Sequence, residues 1–132
     1  MRRLKSRSTK NEEELKRAIE MLKYVLPYDV HFSNIDYALS LGEEGKLSEK
    51  EAIRMAMDPL YDLYKDVKRT MWASRKIAQI LGKRELLNMV RKMYRLINKF
   101  DKVKSLVTAR KIFNDMVELG NEMEKEVKKL LR

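Results

Sequence analysis

The sequence has no cysteine and a single histidine, His31. Without thiols there is no disulfide, no thiolate zinc site and no cysteine nucleophile, and one imidazole does not make a conventional histidine metal centre. Glycine and proline are also scarce, four and two in 132 residues. An all-β chain needs more turn residues than that, and a P-loop or dinucleotide fingerprint needs more glycines. No uncharged apolar run approaches the roughly 20 residues that cross a bilayer, and the basic stretch Met1 to Lys10 lacks the apolar segment of a secretory signal. These absences remove most enzyme chemistry. The expectation is a chain that is not an enzyme, carries no cofactor or metal, and is cytoplasmic unless it belongs to a larger particle.

What the sequence has in quantity is charge. Thirty Lys and Arg face twenty Asp and Glu, a net +10, with a pI near 9.8. Such an imbalance favours a polyanionic partner, nucleic acid ahead of an anionic membrane surface. The excess is also localised. Residues 1–10 carry +5 and residues 11–64 carry −6, whereas residues 65–111 hold fifteen cations against three acids and residues 112–132 carry −1. A surface built only for solubility mixes signs, so the 65–111 block needs either a partner or a tolerance of self-repulsion.

Apolar periodicity points to helices throughout. Residues 1–10 bear five cations and no acid, cannot bury a face, and are expected to form an extended basic arm. Thr9 with Glu12, or Asn11 with Glu14, can cap a helix through Leu15, Ala18, Ile19, Leu22, Val25 and Leu26 that Pro27 stops. Tyr28 to Phe32 reads as a connector and Ser33 to Leu41 as a short helix ended by Gly42. Ser48 with Glu51 gives a second capping signal, and Asp58-Pro59 marks either a new start or a kink. A seven-residue pattern then runs from Leu60 to Leu81 before Gly82. Leu86 to Phe100 marks another helix and Val103 to Val117 a third, whose pattern continues past Gly120 to Leu131, with Gly120 either ending that helix or lying inside it. The fold class expected is all-α: a four-helix-bundle-like C-terminal domain over residues 47–132, preceded by a basic arm and helical segment over residues 1–46.

The candidate site is electrostatic. Lys65, Arg69, Trp72 and Lys76 advance by four, three and four residues, so they form one helical stripe, flanked by Lys68 and Arg75. Arg84, Asn88, Arg91, Arg95, Asn98 and Lys102 repeat that spacing on the next helix, beside Lys92 and Lys99. Two such ridges, with Arg2, Arg3, Lys5, Arg7 and Lys10 of the arm, suit phosphate oxygens. If about eight of these cations met phosphates, the binding constant would fall with salt at a log–log slope of about −7. Trp72 is expected either to stack on a base or sugar, or to be buried against the N-terminal segment or a subunit interface.

Other chemistry is weaker. Asp58, Asp62 and Asp66 share a helix face, but acids in a first turn complement the helix dipole and Asp62 and Asp66 have Lys65 and Arg69 three residues on, so no metal site is expected. His31 has no nucleophile motif near it and reads as an ordinary hydrogen-bonding residue. The methionines read as core filler and the tyrosines as core or interface residues.

The basic arm Met1–Lys10, the helix ending at Pro27 and the bundle from Ser48 together resemble the major coat proteins of filamentous viruses of hyperthermophilic archaea. The resemblance is one of architecture and rests on no diagnostic motif. It implies paired subunits that wrap double-stranded DNA, with helical arms enclosing the duplex and bundles packing outward, and it assigns the arm and the Lys65–Lys104 ridges to DNA. It also implies self-association or a paralogous second subunit, and a place in a virion. Residues 11–64 depart from it in being net negative. Two other readings stand beside it: a small helical subunit of an RNA-guided or other ribonucleoprotein complex, and a helix-turn-helix transcriptional regulator.

Overall fold

The computed structural model describes the backbone of residues 2–131 and the side chains of residues 9–131. Its described residues form five helices and no strand: α1 (Arg2–Val25), α2 (Asp29–Glu43), α3 (Glu49–Leu81), α4 (Glu85–Asp101) and α5 (Leu106–Leu130). The all-α, helix-bundle reading holds, but residues 47–132 supply three of the bundle's helices and the fourth is α2, from the segment expected to precede it.

The other helices are laid on α3, 33 residues and therefore about 50 Å long. Its start is the capping box read in the sequence: the Ser48 hydroxyl accepts from the Glu51 N–H at 3.1 Å, and the Glu51 carboxylate accepts from the Ser48 N–H at 3.3 Å. Its end is Gly82, whose φ of 71° lies in the left-handed region that glycine adopts without a Cβ penalty. Asp58-Pro59 neither starts a new helix nor ends the old one. Ala52, Ile53, Ala56, Leu60, Leu63 and Val67 are all buried, so the apolar stripe continues in phase through Pro59. A break there would take half of that stripe out of the core, which outweighs one missing backbone hydrogen bond.

Contacts fix the directions. Tyr28 meets Thr70, His31 meets Asp66, and the Gly42 backbone lies against Ala52, so α2 runs antiparallel to α3 along its N-terminal half. Glu14 pairs with Lys76, while Met21 and Tyr24 share a groove with Arg69 and Trp72, so α1 runs antiparallel to the C-terminal half of α3. α1 and α2 thus follow one another along the same rod. In that register residue 9 is level with Leu81, and the α1 backbone before it continues past the end of α3. α4 returns along α3 with Tyr94 against Tyr64, and α5 returns along α4. α5 also packs on α2, where the Phe32 and Phe113 rings meet edge to face at 5.9 Å. α2, α3, α4 and α5 enclose one core, with Leu39, Leu63, Met93, Phe100 and Met116 at its centre.

Several boundaries differ from the sequence reading. Residues 2–10, expected to be extended, continue the α1 backbone, because adding residues to an existing helix is far easier than starting one. Thr9 and Asn11 are therefore not caps. The side chains of Arg2, Arg3, Lys5 and Arg7 lie outside the described residues. α2 starts at Asp29 rather than Ser33. Tyr28 and Phe32, read as connector, are buried, and the Tyr28 hydroxyl sits 2.5 Å from Thr70 Oγ1. Thr70 already donates to the Asp66 carbonyl at 3.0 Å, so Tyr28 is the donor, and burial holds its phenol protonated far above the usual range. Gly120 lies inside α5, where the Phe32 ring takes the space a side chain would need.

The α2–α5 seam is closed by Arg110. Its guanidinium donates to Glu43 at 2.6 and 2.9 Å and to Asp36 at 2.6 Å, and lies over the Phe113 ring, 5.5 Å from its centroid. Arg110 holds the Glu43 carboxyl below its ordinary value of 4.5. At the same end the Leu106 N–H, otherwise unpaired at a helix start, donates to the Glu49 carboxylate at 3.0 Å.

Two predictions follow from this packing. A Cβ on Gly42 would stand 2.5 Å from the Ala52 Cβ. Both atoms are fixed to backbone, so Gly42→Ala is expected to cost about 2 kcal/mol or more in urea unfolding despite a better helix propensity. Arg110→Met keeps the stem on Phe113 and removes the charge, and is expected to cost about 1 kcal/mol near neutral pH, the partners being partly exposed. Glu43 has a depressed folded-state pKa, so its contribution is present above 4.5 and lost as pH falls through the folded value. The gap between wild type and variant, measured by urea unfolding as a function of pH, is therefore expected to narrow below that point.

Candidate nucleic-acid interface

The cations of the 65–111 block divide into two sets once α1 and α5 are in place. Arg69 donates to Asp66 at 2.6 Å, and the other oxygen of Asp66 accepts from His31 Nε2 at 2.7 Å. His31 is thus an ordinary hydrogen-bonding residue on α2, and the Asp66 carboxylate is engaged on both oxygens by side chains. Lys76 lies 3.7 Å from Glu14 of α1. Trp72, 41% exposed, lines the α1–α3 groove with Met21 and Tyr24. Arg69, Trp72 and Lys76 of the stripe therefore run along the seam with α1, and both of these cations are matched within the chain.

The second set has no such match. Among the described residues, no ion pair involves Lys65, Lys68 or Arg75 of α3, or Arg91, Lys92, Arg95, Lys99 of α4 and the flanking Arg84 and Lys102. All are exposed. Lys68 and Arg75 flank the stripe on the α4 side. Lys68 lies over the Tyr64 ring, 5.5 Å from its centroid, and Tyr64 packs edge to face on Tyr94 of α4 at 5.8 Å. Arg75 counteracts a rise in the Tyr94 pKa that burial and Tyr64 produce. Lys65 covers Tyr61, which stacks on Tyr64 at 6.4 Å. Three tyrosines thus form a floor between α3 and α4, with ammonium groups held over it by cation–π attraction. The sequence reading left these tyrosines as core or interface residues. The three-residue spacing of Tyr61 and Tyr64 on a helix already placing cations at 65 and 68 is the signal that would have found them.

The α4 ridge is not uniform. Lys92, Arg95 and Lys99 border a groove of about 360 Å³ whose far wall carries Asp115, Glu118 and Glu122 of α5. These acids stand beyond ion-pair distance but reduce the local potential. Arg84, Arg91 and Lys102 share one stripe with Arg95 by their spacing and do not line that groove. The arrangement leaves Lys65, Lys68, Arg75, Arg84, Arg91 and Lys102 exposed in and beside α3 and α4, with Asp58 and Asp101 lining the groove between the two helices next to Tyr61 and Tyr64. It does not bring Lys10 to these cations, because Lys10 is on α1, which packs on α3 and makes no comparable contact with α4.

No group of acids or His31 that could hold a metal ion occurs among the described residues. No helix of the described chain is long and apolar enough to cross a membrane. No protein-family model matches the chain, and neither the curated proteins nor the solved structures contain a significant match to it.

Proposed function

We propose that this chain is a structural protein that coats double-stranded DNA by contacting its phosphate backbone without sequence preference. The observation that carries this reading is the contrast between the two sets of cations. Arg69, Lys76 and Arg110 are held by acids of the chain, whereas nine exposed cations in and beside two adjacent helices are in no ion pair among the described residues. Such a face repels itself, and a polyphosphate relieves that repulsion with release of its counterions. α4, at 17 residues, is about 25 Å long, equal to about seven base-pair steps of the duplex axis at 3.4 Å each.

Lys, Arg and Asn are the commonest exposed side chains of α3 and α4 from Lys65 onward, and they suit phosphate and sugar contacts. Among the described residues the exposed cations of α3 and α4 favour backbone contact over operator recognition. A place as a virion coat subunit, acting with further copies or a related chain, is the fuller form of the same proposal. It rests on the architectural resemblance and on α1 being laid along a single helix.

Six contacts from Lys65, Lys68, Arg75, Arg84, Arg91 and Lys102 give an expected salt slope of about −5 on random duplex. Replacing Arg75, Arg84 and Arg91 together by Gln is expected to flatten that slope to about −3 and weaken binding to all sequences alike. Lys125→Gln with Lys128→Gln on α5 serves as a control that leaves it unchanged. Fluorescence anisotropy at several salt concentrations reads both. An unaltered slope in the triple variant would contradict the assignment, and tighter binding to single strands than to duplex would move it to the ribonucleoprotein reading.

A further inference from the structure

α3 and α4 run antiparallel with Tyr64 against Tyr94. Asp58 lies six residues before Tyr64 and Asp101 seven after Tyr94, so the two carboxylates stand within a turn of the same level. Between the helices there is a cavity of about 450 Å³, lined by Leu60, Tyr61, Tyr64 and Ile97 together with Asp58 and Asp101. These aspartates are its only charged lining residues among those described, although the chain carries a net +10. Three other grooves are each bordered by cations: Lys92 and Arg95 between α4 and α5, Lys16 and Lys23 on α1, and Arg17 and Arg69 between α1 and α3. Neither Asp58 nor Asp101 is in an ion pair among the described residues. The rings beside them already attract ammonium groups. Lys65 Nζ lies 4.7 Å from the Tyr61 centroid and Lys68 Nζ 5.5 Å from that of Tyr64, and Tyr61, 59% exposed, keeps ring surface open to a further contact.

We infer that this cavity binds an aliphatic diamine or polyamine, a cation with a charge at each end of an apolar chain. One ammonium group takes Asp58 and the other Asp101, while the methylenes between them lie on Leu60, Ile97 and the tyrosine rings. Exposed ion pairs contribute little one by one, so the apolar chain supplies most of the holding and the two carboxylates select for a charge at both ends. Other small ions match less of the lining. An inorganic dication leaves the apolar and aromatic surface uncovered and needs several oxygens close enough to share it. A phosphate is repelled by both aspartates, and a monoamine satisfies one of them. Bound there, the diamine neutralises the two carboxylates that lie among the exposed lysines and arginines of α3 and α4.

The inference does not rest on DNA binding, and its test uses the full chain without nucleic acid. Isothermal titration calorimetry with cadaverine and with spermidine at low salt is expected to show one saturable site with a Kd of about 1 mM or below. Hexylamine, with one charge, is expected to bind about tenfold more weakly, and magnesium at the diamine's concentration to leave the diamine Kd within about twofold. In methyl spectra of the same titration, Met57 and Ile97, which line the cavity, shift, and Met116 of the core does not. Asp58→Asn combined with Asp101→Asn is expected to raise the Kd by about tenfold or more, whereas Asp115→Asn with Glu122→Gln on α5 leaves it within about twofold. Circular dichroism checks that each variant keeps its helix content. Absence of saturable binding, or a Kd that ignores the change at Asp58 and Asp101, overturns the proposal. So does magnesium that displaces the diamine at equal concentration, which would leave charge attraction alone. The methyl shifts are read on the unaltered chain, and shifts that miss Met57 and Ile97 overturn the site whatever the variants do.

Discussion

α3 must bury one apolar stripe, from Ala52 to Ile77, against four other helices, and this requirement decides where everything else on its surface goes. α2 and α1 follow each other along one flank, α4 takes the other, and α5 closes the core between α2 and α4. The polar arc that remains is narrow. On the α1 side it is filled by matched groups, Arg69 with Asp66 and Lys76 with Glu14. On the α4 side it is filled by Lys65, Lys68 and Arg75 over a layer of tyrosine rings. Burial of one face thus sorts the cations of a single helix into those neutralised by the fold and those left for something outside it.

That sorting bears on stability as well as on recognition. A carboxylate within reach of Arg110 strengthens the α2–α5 seam, whereas each unmatched cation on the α3–α4 face adds repulsion that falls with ionic strength. The two effects oppose each other across the molecule. Apolar burial around Leu63, Met93, Phe100 and Met116 is what holds the bundle together against the second. The tyrosine floor contributes on both counts, since its rings pack on one another and present their negative faces to the ammonium groups above.

Much of this was legible in the sequence. The Ser48–Glu51 box and the glycine after Leu81 mark the two ends of α3, while the seven-residue series covers only Leu60 to Leu81 and Asp58-Pro59 left open whether one helix or two lay between those ends. What periodicity gives is the phase of a helix. It does not say which neighbour covers which flank, so the Glu14–Lys76 pair, 62 residues apart, and the Arg110 pairs, 67 and 74 apart, carried no local signal. Tyr28 and Phe32 were misplaced for a related reason. Tyr28, Phe32, Ile35 and Leu39 are spaced by four, three and four and are all buried, but the proline before them and the capping signal at Ser33 hid the first turn, which is held by Thr70, Phe113 and Gly120 on distant helices. Pro59 read as either a new start or a kink, and Gly120 as either an end or an interior position, because local propensity disfavours both. Each is carried by tertiary packing that runs through it unbroken.

The central claim is that the unmatched guanidinium and ammonium groups between α3 and α4 are where phosphate binds. Nuclear magnetic resonance of the arginine Nε–H groups, followed during titration with random-sequence duplex, observes those groups one at a time. The account predicts that Arg75, Arg84 and Arg91 shift and broaden while Arg110, held by Glu43 and Asp36, stays where it is. Shifts confined to Arg17 and Arg54, or no shift at physiological salt, would contradict it.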